Sequence, residues 1–337
     1  MITVEHLTKC YGSFMAVDDL SFTIQEGHVY GFLGPNGAGK STTMNIMTGC
    51  LSATQGHVSI YGHDIFEEPE EAKSLIGYLP EQPPLYMNET PFEYLYFVGK
   101  AKGLRREVLK EQLEAVILQT KLEAVCHKKI SALSKGYRQR VGIAQALLGD
   151  PKVIILDEPT VGLDPIQIIE IRDLIKELGK THTVIFSSHI LSEVQAICDQ
   201  VLIVNKGRLI AFDEPGQLDK QLLCPNEIHL TTNAPQADAA GMLDQLEAAE
   251  ELLIQPGEFT EVQIRSDCDD IFDLSRKIFR IFAGSKFDLL ELSLKKANLE
   301  DIFLELTEEK GADPAPGKEV LEVPAAEEVD GSEGVTE

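Results

Sequence analysis

The chain has 337 residues, 43% of them apolar, which is enough for one large hydrophobic core and a smaller second unit. Its formal net charge of -25 argues against nucleic acid as a bulk partner, because neutralising a phosphate backbone takes a basic surface. Six cysteines without C-x-x-C spacing fit reduced thiols rather than a disulfide scaffold, and no apolar run reaches the roughly 18 to 20 residues that a bilayer span needs.

The first residues, Met-Ile-Thr-Val-Glu, lack the basic segment of a secretory leader, so the expectation is a chain that does not cross a membrane by itself. An apolar run over 29–33 reads as a strand and leads directly into Gly34-Pro35-Asn36-Gly37-Ala38-Gly39-Lys40-Ser41, with Thr42 next. This is a phosphate-binding loop. A triphosphate needs several main-chain N–H donors converging on it, and glycines let the backbone curl that closely. Lys40 adds a point charge, the helix beginning near Gly39 aims its positive dipole end at the same anion, and the Ser41 hydroxyl suits Mg²⁺. The predicted ligand is a nucleoside triphosphate.

Between Gln82 and Lys135 the pattern is helical, and Thr90-Pro91-Phe92-Glu93 predicts a capped helix start. Residues 153–156, 183–186 and 201–204 are continuous apolar runs, as expected of strands covered on both faces of a parallel sheet. Asp157 and Glu158 follow the first of these, at the end of a strand where open α/β sheets hold ligands. One carboxylate can hold Mg²⁺ and the other can orient or deprotonate water. Ile168, Ile171, Ile175 and Leu178 mark one face of a helix stopped by Gly179. Asn205-Lys206-Gly207 predicts a hairpin into 209–212 at the sheet edge.

After Leu223, strands are predicted over 228–232, 262–265 and 289–294, with helices carrying Ile271, Leu274, Ile278 and Phe282, and Leu299, Ile302, Phe303 and Leu306. No catalytic constellation is visible there. Residues 308–337 hold ten carboxylates against Lys310 and Lys318, plus three prolines, a composition expected to be disordered.

Across about residues 1–220 the chain resembles the nucleotide-binding subunit of an ATP-binding-cassette (ABC) transporter. Six motifs stand in the family's order: the phosphate loop; Gln82 in Leu79-Pro-Glu-Gln-Pro83; Leu133-Ser-Lys-Gly-Tyr-Arg-Gln-Arg140; Asp157-Glu158; Val161-Gly-Leu-Asp164; and His189 after Ser187-Ser188. The resemblance implies an α/β fold: a P-loop NTPase cassette with a mixed sheet core, an antiparallel β subdomain and a helical subdomain over about 84–150. A small α+β C-terminal domain (224–308) and an acidic tail (309–337) follow.

The same resemblance implies a set of roles. Tyr11 stacks on adenine, Gln82 senses Mg²⁺ and the γ-phosphate, Glu158 and His189 act on the attacking water, and Ser41, Gln82 and Asp157 hold Mg²⁺. Ser134 and Gly136 meet ATP held by a second cassette in a homodimer, and Asp164 of the aspartate loop is also a nucleotide-binding residue. The signature departs from the family's common Leu-Ser-Gly-Gly-Gln at Lys135 and Tyr137. That variant, with Leu299-Glu-Asp-Ile-Phe-Leu304, resembles bacterial multidrug, polysaccharide and gliding-type exporters, which implies a separate multi-span membrane permease and a cytoplasmic location on the inner face of the membrane. A soluble, non-transport ABC ATPase is the alternative. A GTPase is disfavoured because Asn205-Lys206 runs on into Gly207-Arg208 rather than an Asn-Lys-x-Asp motif. Taken singly, Tyr11, Gln82 and His189 also have plain structural readings as packing or turn residues.

Overall fold

The computed structural model describes residues 1–221, 226–244, 246, 251–255, 257, 259–266 and 271–295. From the N-terminus, β1 (Ile2–Tyr11) and β2 (Phe14–Ile24) form a hairpin, and β3 (Val29–Leu33) leads through the glycine loop into α1 (Lys40–Met47). Then come β4 (Gln55–Ile60), β5 (His63–Asp64), α2 (Pro69–Ser74) and β6 (Ile76–Leu79). Three helices follow, α3 (Pro91–Ala101), α4 (Arg106–Gln119) and α5 (Lys135–Leu147), and the chain continues with β7 (Val153–Leu156), α6 (Pro165–Leu178), β8 (Thr183–Ser188), α7 (Leu191–Ile197), β9 (Gln200–Asn205), β10 (Arg208–Asp213) and α8 (Pro215–Gln221). The remaining elements are β11 (Asn226–Thr232), α9 (Gln236–Leu243), β12 (Glu251–Gln255), β13 (Thr260–Ser266), α10 (Ile271–Ala283) and β14 (Leu289–Lys295).

The central sheet has six strands in the order β10-β9-β3-β8-β7-β6, parallel except for β10. Every residue of β3, β7 and β8 is buried, as their unbroken apolar runs require. Side chains alternate across each strand, so the sheet feeds two cores. Ile154, Leu156, Val184 and Phe186 pack with the helices on one face. Val153, Ile155, Ile185 and Tyr30 pack on the other with α1 and the antiparallel sheet β2-β1-β4-β5. A third sheet, β12-β13-β11-β14, is wholly antiparallel and has its own core, in which Ile228, Leu230, Val262 and Ile264 meet Ile271, Leu274, Ile278 and Phe282 of α10.

Local signals behave as their chemistry dictates. Thr90 caps α3 in a complete capping box with Glu93, and Pro91 opens the helix. Lys206 and Gly207 both take positive φ (49° and 80°), the two-residue turn that joins β9 to the antiparallel edge strand. Among the described residues, Cys10, Cys50, Cys126 and Cys198 carry free thiols. Among the described residues no helix is long and apolar enough to cross a membrane. The expected helix around 299–306 and the acidic tail lie outside the described residues.

Candidate functional site

The strand order places β3, β8 and β7 side by side, so their C-terminal ends, roughly 5 Å apart, present three loops to one cleft. After β3 the chain turns through Gly37 (φ 82°) and Gly39 (φ 100°), both in the left-handed region open to glycine. A β-carbon on Gly39 would lie 2.5 Å from the Ala16 carbonyl oxygen, so this position has no room for a side chain as well as an unfavourable φ. Gly39 caps α1, and the helix N-terminus therefore faces the cleft. Lys40 is buried at its start. Its Nζ donates to the carbonyls of Gly34 (2.8 Å) and Pro35 (3.3 Å) and pairs with Glu158 Oε1 at 3.4 Å.

The end of β7 supplies the carboxylates. Asp157 is 2% exposed, and its Oδ1 accepts from Ser41 Oγ (3.1 Å) and Ser187 Oγ (2.6 Å). Burial raises its pKa above the ordinary carboxylate value; the hydroxyls of Ser187 and Ser41 oppose the rise and the neighbouring Glu158 adds to it. Glu158 is 8% exposed with φ 46°, a left-handed backbone rare outside glycine and costing of order 1–3 kcal/mol. That bend turns the carboxylate back over the cleft. Its amide donates to Ser187 Oγ at 2.7 Å, and its Oε2 lies 2.9 Å from Nδ1 of His189, which follows β8. One carboxylate is thus held between Lys40 and His189.

Lys40, Ser41, Glu158 and His189 line a cavity of about 470 Å³ together with Tyr11, Asn36, Gly37, Ala38, Gly39 and Thr42. Tyr11 stands half-exposed at its rim with the Lys9 ammonium 5.4 Å from its ring centroid. Phe14 lines the cavity as well, opposite Tyr11 across the β1–β2 turn. Gln82 is exposed after β6, and the residue of that segment lining the cavity is its neighbour Glu81.

Ser134 and Gly136 lie elsewhere, in a second pocket of about 140 Å³. Ser134 caps α5, its hydroxyl accepting from the Tyr137 amide at 3.4 Å. Lys121, Tyr137, Gln167, Arg140 and Glu170 complete the pocket, and Arg140 pairs with Glu170 at 2.7 Å. Asp164 caps α6 by accepting from the Gln167 amide at 2.9 Å, and it lines neither pocket. The predicted site residues therefore divide: residues 36–42, Glu158, His189 and Tyr11 line one cleft, with Asp157 bonded to Ser41; Ser134 and Gly136 line a separate pocket; and Gln82 and Asp164 line neither. Sequence reasoning missed Phe14 and Ser187. The hairpin turn Gly12-Ser13 flags Phe14, whereas nothing local marks Ser187.

A glycine-lined helix start facing paired carboxylates and a histidine defines a nucleotide-binding ATPase cassette. The ABC transporter family model matches residues 17–161. ABC transporter ATP-binding protein YhcH of Bacillus subtilis is 36% identical over 312 residues, covering 92% of this chain and 96% of that protein. Bacitracin transport ATP-binding protein BcrA of Bacillus licheniformis is 35% identical (91% and 97% covered), and linearmycin resistance ATP-binding protein LnrL of Bacillus subtilis is 31% identical (91% and 98%). Among solved structures, an ATP-binding subunit of an ABC transporter superposes with a TM-score of 0.60 at 31% identity, covering 66% of this chain and 92% of the other. A dimeric cassette in a post-hydrolysis state bound to ADP and Pi superposes at 0.58 with 26% identity, covering 64% and 98%. The chain belongs to the ABC transporter family, as an ATP-binding subunit.

Proposed function

We propose that the chain hydrolyses ATP as one of two identical cassettes that close head to tail, and that closure drives export through a separate multi-span membrane subunit. The observation that carries this reading is the Glu158 carboxylate held between His189 and Lys40 beside the phosphate loop. In this account Glu158 takes a proton from the attacking water, His189 fixes the carboxylate, and Lys40 offsets charge on the β and γ oxygens. Tyr11 stacks on the base, and the main-chain N–H groups over residues 36–42 cradle the phosphates. Ser134 and Gly136 serve ATP held by the other cassette, which accords with their separate pocket and with the dimeric neighbour, and Asp164, at the start of α6, is a further nucleotide-binding residue.

Mg²⁺ fits this site. No cluster of three or more His, Cys, Asp or Glu forms a metal cage among the described residues. Mg²⁺ does not need one, since it keeps waters and phosphate oxygens and takes one or two protein oxygens. Ser41 Oγ and Asp157 Oδ1, 3.1 Å apart, are hard ligands of that kind; Gln82, expected as a further ligand, is exposed and does not line the cavity, so it would have to move in to reach the ion. When bound, the ion neutralises charge on the phosphates.

Export is supported by the full-length relatives named for bacitracin transport and linearmycin resistance. The permease would hold the chain on the inner face of the membrane, meeting it near Gln82 and the helices α3 and α4. We assign residues 1–220 to the cassette, 84–150 to its helical subdomain, 224–308 to the C-terminal domain with its own core, and 309–337 to the tail. Glu158→Gln tests the chemistry. Turnover should fall by roughly a hundredfold or more while ATP affinity stays within about threefold and ATP-dependent dimers accumulate on size exclusion. Unimpaired turnover would remove Glu158 from the base role.

A further inference from the structure

A buried carboxylate outside the nucleotide cleft ties together the two loops that carry the Glu158–His189 pair. Glu193, in the short helix α7, is only 3% exposed. Its Oε2 accepts two hydroxyls at once, Thr160 Oγ1 at 2.7 Å and Ser188 Oγ at 2.9 Å. Thr160 lies two residues beyond Glu158, on the turn that Glu158 opens with its left-handed backbone. Ser188 precedes His189 and also accepts from the amide of Ile190 at 3.0 Å, so one hydroxyl holds the backbone on both sides of the histidine. No lysine, arginine or histidine pairs with Glu193 among the described residues. Burying a carboxylate is costly, and a well-packed apolar side chain at such a place is often at least as stabilising, so packing alone is a poor reason for an acid here.

We propose that Glu193 is a positioning residue for hydrolysis: by holding Thr160 and Ser188 on a single oxygen, it fixes the distance between Glu158 and His189. The inference rests on the role given to that pair above. It assigns Glu193 no contact with nucleotide and no proton transfer. The carboxylate is an acceptor, so its effect must reach the reaction through the geometry of His189 and Glu158.

The test is a double-mutant cycle on the full chain, with steady-state ATPase, binding of a fluorescent ATP analogue and thermal unfolding measured for each variant. Glu193→Ala should lower kcat by about 10- to 100-fold, the usual loss when the partner that orients a working group is removed. KM and analogue affinity should move less than about threefold, since no ground-state contact is lost. Glu193→Gln should recover most of the turnover, because the amide oxygen still accepts from both hydroxyls. In a His189→Ala background, Glu193→Ala should add less than about twofold, the signature of two groups acting as a unit.

Should Glu193→Ala fold poorly, Ser188→Ala breaks only the histidine arm and should show the same kcat loss and the same non-additivity. An equal loss with and without His189, or a fall in kcat matched by equal losses in affinity, would overturn the proposal. If His189→Ala alone leaves turnover intact, the role of the pair itself fails, and a kcat loss in Glu193→Ala would then have to run by another route.

Discussion

At the scale of single residues, the site concentrates ionisable groups in a place water reaches poorly, and Asp157 shows the consequence. Its carboxyl is held above its ordinary value by burial, so the folded state favours the protonated form. The stability this group contributes is complete below the unfolded value of 3.8 and is lost as pH rises through the folded value. At neutral pH the group is therefore a burden on the fold. Asp157→Asn keeps an oxygen acceptor for Ser41 and Ser187 without the charge. The nucleotide-free variant should melt above the parent at pH 7, the gap should close as pH is lowered towards 3.8, and ATPase should be lost. A variant that melts below the parent at pH 7 would mean that Ser187, Ser41 and Lys40 outweigh burial.

At the scale of elements, the helix starts do more than begin helices. Asp164 accepts the Gln167 amide as the cap of α6, and it is also among the residues expected to bind nucleotide. The two duties separate by substitution. Asp164→Ala should cost about 1 kcal/mol of stability by losing the cap, seen as a lower midpoint in urea. Asp164→Asn should stay within a few tenths of a kcal/mol, because Asn caps as well as Asp. Loss of turnover in both variants would point to a role for the charge beyond the cap; full turnover in Asn would confine Asp164 to α6.

This is also the scale at which sequence legibility divides. Strands β7, β8 and β9 could be read because burial on both faces leaves an unbroken apolar run. The sheet of β1, β2, β4 and β5 could not. His6 and Asp19 adopt positive φ and the β1–β2 register shifts three times, so the period of two never settles. Sheet order was equally hidden. Ser187, Thr160 and Glu193 matter only because β8 lies beside β7, a neighbourhood that no local pattern encodes. The phosphate loop, Asp157, Glu158 and His189 were legible because their chemistry needs fixed residue types in a fixed order.

At the scale of the whole molecule, the net charge of -25 sets a condition on pairing. Two such chains repel over a Debye length of about 30 Å at 0.01 M salt, and of only about 8 Å at 0.15 M. Raising salt across that range should tighten ATP-dependent dimerisation of Glu158→Gln several-fold, measured by analytical ultracentrifugation. Weakening instead would show that attractive charge contacts at the interface dominate over the overall repulsion. The position of β8 between β3 and β7 carries a further consequence, for biosynthesis. The strand bearing the glycine loop and the strand bearing the carboxylates are not hydrogen-bonded to each other, and the strand that joins them is made after both. A ribosome-bound chain that ends before residue 188 lacks the central plank of its own platform. The complete cleft, with Glu158 and His189 set beside the glycine loop, can therefore assemble only late in synthesis.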